Sequence, residues 1–140
     1  VRNTIISNVQ IAVVDHERLT REFVAHVMMY SVNREILVFE NAETIMEAVS
    51  AGKTIHLVLS EIHLPGRSGF ELLRSLKEEN PGIYLIAMSA NPGDETPATE
   101  LGADAFLAKP FALKDLFGIV QHFVVESSEL QLGNKRCLEN

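Results

Sequence analysis

Six residues of this chain carry side chains suited to chemistry and sit at or just past the ends of short apolar runs: Asp15, His16, Glu61, His63, Ser89 and Lys109. In sheets built from such runs, sites form beyond the carboxyl ends of the strands, so these six are the candidates to converge. The spacings Asp15-His16 and Glu61-x-His63 offer two carboxylates and two imidazoles, a donor set that suits zinc, nickel or copper better than magnesium. On that reading Asp15, Glu61 and His63 are candidate metal ligands. No glycine-rich loop follows the first apolar run, so a nucleotide or flavin site is poorly supported, and nothing else points to an enzyme. His26, His56 and His122 are expected to be surface or partly buried residues with no special role.

The elements that must position these residues are legible between them. "VQIAVV" at 9–14, "EILVF" at 35–39, "IHLVLS" at 55–60, "IYLIAMS" at 83–89 and "DAFLA" at 104–108 are short, aliphatic and without polar alternation, as strands buried on both faces are. Residues 17–30 place Leu19, Phe23, Val24, Val27 and Met28 at helical spacing. Asn41 is an N-cap for the helix that follows, and Gly52 suits its left-handed stop. Ser68 with Glu71 forms a capping box, and Asn80, Pro81 and Gly82 end that helix. A last helix carries Leu113, Leu116, Phe117, Val120, Phe123 and Val124 on one side. Between the fourth and fifth strands, prolines at 92 and 97 predict a long loop and a shortened helix, with Thr96 as N-cap and Pro97 at its first position. Five alternations of strand and helix imply an α/β fold with a doubly wound parallel sheet and helices on both faces.

The 140 residues are about one domain, and a hydrophobic content of 46% supports a core. Residues 1–126 are expected to form it, with 127–140 a polar tail or linker stub. A net charge of −7, with 19 acids against 12 lysines and arginines, disfavours direct nucleic-acid binding. No apolar run approaches a membrane span, and the single Cys137 allows no internal disulfide, so a cytoplasmic location is expected.

Four motifs in order, "VVDHE" at 13–17, "LVLSEIHLPGRSGFELL" at 57–73, "IAMSA" at 86–90 and "GADAFLAKPF" at 102–111, make the chain resemble the receiver domain of two-component response regulators. The resemblance covers residues 9–125 and implies a flavodoxin-like, five-stranded sheet of order 2-1-3-4-5. It further implies a strand-end aspartate that accepts a phosphoryl group from a histidine kinase, helped by magnesium on two acids, by a lysine and by a hydroxyl. Lys109 matches that lysine, Pro110 the often cis bond beside it, Ser89 the hydroxyl and Phe106 the switch aromatic. The implied partners are signalling proteins such as a histidine kinase or an output protein. A homodimer is also implied, through a face built by the fourth helix, fifth strand and fifth helix. That face would include Phe106, Leu107, Lys114 and the segment 91–101.

Two positions depart from the pattern. Within the acidic pocket of Asp15, His16 and Glu17, the second acid is replaced by His16, a poor ligand for a hard cation, so magnesium binding is expected to be weak. The phosphoacceptor position is Glu61, whose extra methylene moves the carboxylate forward by about 1.5 Å, out of line with a phosphoryl donor. Glu61 is instead expected to reach Lys109 and Ser89 without a phosphate, which makes the chain a phosphorylation-independent pseudo-receiver. An ordinary phosphoryl-accepting switch and a transition-metal-binding variant are the alternatives.

Overall fold

Successive residues of a strand point to opposite faces of the sheet, and the computed structural model shows both faces in use. It describes residues 9–32 and 36–122. In chain order the elements are β1 (Ile11–Val14), α1 (Arg18–Val32), β2 (Leu37–Phe39), α2 (Ala42–Ser50), β3 (Leu57–Glu61), α3 (Gly69–Glu79) and β4 (Tyr84–Ser89). A 3₁₀ turn (Pro92–Asp94) leads into α4 (Glu95–Glu100), followed by β5 (Ala105–Ala108) and by α5 over residues 113–122. All pairings are parallel and the strand order is β2-β1-β3-β4-β5, as the resemblance implies.

Ile11, Val13, Leu57, Leu59, Ile86 and Met88 pack with Val24 and Met28 of α1 and with Leu116 and Val120 of α5. The alternate residues Ala12, Val14, Val58, Leu85 and Ala87 pack with Ile45, Leu72, Leu76 and Ala98 from α2, α3 and α4. The sheet is thus a wall between two cores, and its central strands have no polar face. Only the edges open to water: Val38 on β2 is 49% exposed.

Local chemistry fixes the element ends. Asn41 Oδ1 accepts the Thr44 N–H at 2.9 Å, as its capping role requires, and Gly52 takes φ +98° at the stop of α2. Ser68 Oγ accepts the Phe70 N–H at 3.1 Å. The other half of the expected capping box is replaced by an ion pair, with Glu71 Oε2 3.5 Å from Arg67 Nε.

Three sequence-based expectations need correction. Leu19 and Phe23 lie outside the core at 82% and 44% exposure, and Leu113 is 46% exposed, because the buried stripes of α1 and α5 are narrower than their apolar residues suggest. Thr96 does not cap α4: the helix begins at Glu95, after a 3₁₀ turn capped by Asn91, whose Oδ1 accepts the Gly93 N–H at 3.0 Å. Leu107, assigned above to an outer docking face, is 4% exposed and belongs to the core. Phe123, Val124, Cys137 and the 127–140 tail lie outside the described residues. Among those described, no helix is long and apolar enough to cross a membrane.

Gly69 opens α3 directly against the strand that carries Glu61. Its N–H donates to the Ile62 carbonyl at 2.9 Å, and a Cβ there would sit 2.4 Å from the Glu61 carbonyl oxygen and 2.6 Å from Ile62 Cα. Both contacts are backbone, so no side chain can swing aside. Gly69→Ala is expected to lower stability by about 1–3 kcal/mol, read as a shift of the urea midpoint; an unchanged midpoint would mean that the loop yields freely.

Candidate functional site

Register brings the candidate residues to one edge of the sheet. Val14 pairs with Ser60 and Ser89 with Ala108, so Asp15, Glu61 and Lys109 each follow the last paired residue or end their strand at the same level. Lys109 lies two strand spacings from β3, about 10 Å, and the Lys109 and Glu61 side chains span that distance together. Its Nζ donates to Asp15 Oδ2 at 2.8 Å and to Glu61 Oε1 at 3.2 Å. The Lys109–Pro110 peptide bond is cis.

Both carboxylates are buried, with side-chain exposures of 0% for Asp15 and 7% for Glu61. Asp15 Oδ1 also accepts the Glu17 N–H at 2.9 Å, while its backbone carbonyl accepts from Arg21 Nη1 at 2.8 Å. Glu61 Oε2 accepts the His16 backbone N–H at 3.0 Å and lies 2.5 Å from His16 Nδ1. Every carboxylate oxygen of the pair therefore has a partner.

The electrostatics follow from this arrangement. Burial raises the Asp15 carboxyl above its ordinary value, an effect that the Lys109 hydrogen bond only partly offsets. For Glu61 burial also acts upward, but the His16 N–H, the imidazole and the Lys109 ammonium together hold the carboxyl below the ordinary range. Burial works against the Lys109 ammonium, yet its hydrogen bond to Asp15 and the charges of Asp15 and Glu61 leave its pKa raised. The hydrogen bond to Glu61 raises the His16 imidazole, outweighing its slight desolvation.

The resemblance implies magnesium here, and the donor set does not fit it. The ion favours octahedral oxygen coordination, whereas an imidazole stands at the second acid position and the Lys109 ammonium occupies the space between the carboxylates. Ligand atoms of Asp15, His16 and Glu61 do lie within 4.8 Å of one another, but His16 Nδ1 and Glu61 Oε2 are already bonded to each other. The proposed metal set of Asp15, Glu61 and His63 is not assembled. His63 turns away from the pair, and its Nε2 lies 2.7 Å from Asp94 Oδ2.

Ser89 is likewise not a partner of Glu61, contrary to the sequence reading. Its Oγ donates to Asp94 Oδ2 at 2.6 Å and accepts the Asn91 N–H at 3.0 Å. Asp94 was missed because the loop reads as ordinary turn chemistry. The available signal was "NPGD", a tight turn able to fold an acid back onto the strand-end serine. Phe106 is half-buried against the face covered by α2, α3 and α4, and Glu17 is mostly exposed, 3.9 Å from Lys109 Nζ. His56, expected to be idle, accepts the Gln10 N–H on Nδ1 at 2.9 Å and ties the start of β3 to β1.

Comparison with known proteins matches residues 11–121 to the response regulator receiver domain. The chain is 33% identical over 95 residues to the DNA-binding transcriptional regulator NtrC of Escherichia coli K12, covering 66% of this chain and 20% of that relative. It thus spans about a fifth of the length of such relatives. Among solved structures, a CheY-like receiver domain protein of Methanospirillum hungatei superposes with a TM-score of 0.78 at 22% identity, covering 88% of this chain and 98% of that one. The response regulator DrrB of Thermotoga maritima gives 0.75 at 26% identity, covering 85% and 54%.

The His16–Glu61 contact has a pH signature. The folded-state pKa of His16 is raised above 6.5, so its contribution is full below that pH and is lost as pH rises through the raised value. That of Glu61 is depressed below 4.5, so its contribution is full above that pH and is lost as pH falls through the lowered value. The stability gap between the protein and a His16→Ala variant should be widest between pH 4.5 and 6.5. By NMR, His16 should titrate above the ordinary histidine value, and Glu61→Gln should bring it down; a titration that Glu61→Gln leaves unmoved would contradict the pairing.

Proposed function

The chain belongs to the response regulator receiver family, the signalling modules of two-component pathways, and from that membership we propose that it signals without being phosphorylated. Glu61 stands at the phosphoacceptor position, and one observation carries the reading. Its Oε1 already holds Lys109 at 3.2 Å while its Oε2 holds His16. A carboxylate acts as nucleophile through an oxygen lone pair in line with the donor phosphorus, which hydrogen bonds already held by that oxygen hinder, and proximity with metal charge supplies most of the rate of phosphoryl transfer. Glu61 presents neither a free oxygen nor a magnesium site. Its charge takes instead the place on Lys109 that a phosphoryl oxygen would take in a working receiver.

The domain then acts as a constitutive protein-interaction module, with a signalling protein such as a histidine kinase or an output protein as its partner. The NtrC relatives are named as DNA-binding transcriptional regulators. The acidic unit described here, in a chain of net charge −7, is proposed to work through protein contact, with any DNA contact lying elsewhere. A homodimer through α4, β5 and α5 would have to use Phe106, Lys114 and the surface of a six-residue α4, since Leu107 faces inward.

Incubation with magnesium and acetyl phosphate, followed by intact-mass measurement, should leave the mass unchanged. A stoichiometric gain of one phosphoryl group would overturn the reading. Replacing both departures, Glu61→Asp with His16→Asp, should create magnesium binding detectable by calorimetry and allow labelling. A double variant that still binds no magnesium would show that something other than these two residues disables the site.

A further inference from the structure

Asp94 is buried at 7% exposure and bonds to Ser89 and His63 rather than to the Asp15–Glu61–Lys109 cluster. It sits in the 3₁₀ turn after β4, held in shape by Asn91, whose carbonyl accepts the Asp94 N–H at 3.0 Å. The Asp94 carboxylate turns back over the strand end. Its Oδ2 receives the Ser89 hydroxyl at 2.6 Å and lies 2.7 Å from His63 Nε2, which comes from the loop after β3. Its Oδ1 lies 3.5 Å from Asn91 Nδ2. A serine hydroxyl has one proton to donate, and here that proton goes to Asp94. With the Asn91 N–H bound to its oxygen as well, Ser89 has no donor left for an external anion.

Lys109 is committed in parallel, to Asp15 and Glu61. The two donor groups that flank the strand ends are thus each held by a carboxylate of the chain itself. Glu61 alone would be a poor imitation of a phosphoryl group, with one charge and two oxygens against nearly two charges and three oxygens. Glu61 on Lys109 and Asp94 on Ser89 together supply two charges and four oxygens, with Asp15 also on Lys109.

We propose that Asp94 is a built-in anion for Ser89, which together with Glu61 on Lys109 divides between two side chains the work of a bound phosphoryl group and fixes the loop after β4 in one arrangement. The proposal extends the phosphorylation-independent reading of Glu61 and rests on it for its meaning. It makes a specific demand: the loop is held by an anion on Ser89, not merely by the bulk of the Asp94 side chain.

Hydrogen exchange by mass spectrometry over residues 89–96 tests this without magnesium or a phosphoryl donor. Asp94→Ala and Ser89→Ala should each speed exchange of the segment about tenfold or more, the scale of one charge-assisted hydrogen bond. The double variant should fall short of the product of the two single effects, because both changes remove the Asp94–Ser89 bond, while only Asp94→Ala also releases His63 and only Ser89→Ala also releases the Asn91 N–H. Sodium formate, a small carboxylate, should restore protection in Asp94→Ala and not in the double variant, with sodium chloride at equal ionic strength restoring neither. Wild-type exchange in Asp94→Ala, additive effects, or the same response to formate in both variants would overturn the proposal. Labelling of the unaltered protein by acetyl phosphate would instead sink the reading of Glu61, and the exchange experiment would still report on the Asp94–Ser89 pair.

Discussion

One ammonium group, Lys109 Nζ, lies between two buried carboxylates from different strands, and the upper edge of the sheet is organised around it. Asp15 and Glu61 cannot both be ionised and buried side by side without a cation, since desolvation alone costs several kcal/mol per ion. At the observed separations and an effective dielectric of about 20, each contact with Lys109 returns about 5–6 kcal/mol of Coulomb energy. Three desolvated ions and the repulsion between the two acids consume most of that. The set therefore adds little net stability, and what it fixes is position: β5 and its following loop are tied to β1 and β3 across an intervening strand.

The consequences run outward from that position. Because Glu61 is one methylene longer than aspartate, its carboxylate reaches the lysine and keeps an oxygen for His16. His16, where the resemblance implies an acid, can donate to that oxygen. His16 and Glu61, the two residues that depart from the pattern the resemblance implies, are thus each other's hydrogen-bond partners. The loop after β4 repeats the solution with different residues, Asp94 meeting Ser89 and His63. In both places a strand-end donor is held by a carboxylate of the chain itself.

Much of this is legible in the sequence. The uninterrupted apolar runs identified the buried strands, because a strand covered on both faces has no polar positions to show. The Asn41 cap and the Gly52 stop followed from chemistry local to a few residues. The reach from Glu61 to Lys109 was anticipated because motif order placed both at strand ends. What sequence could not rank was competition between partners. His63 had a carboxylate of Asp15 or Glu61 to choose, and Ser89 had Glu61, until a 3₁₀ turn brought Asp94 closer to both. Leu19 and Phe23 obeyed helical spacing, yet the buried stripe of α1 begins only at Val24, and they line a groove of about 460 Å³ with Phe111 instead. Periodicity identifies the apolar residues of a helix but not which of them the sheet can cover.

On the phosphorylation-independent reading, no external phosphoryl-like anion displaces the chain's own carboxylates from Lys109. Backbone amide NMR spectra recorded before and after adding magnesium with beryllofluoride test it most directly, because this reagent mimics an acyl phosphate without requiring chemical transfer. The two spectra should superimpose, with the amides of residues 15–17, 61–63, 89–91, 93, 94, 109 and 111 unmoved. Saturable shifts confined to those residues would contradict it.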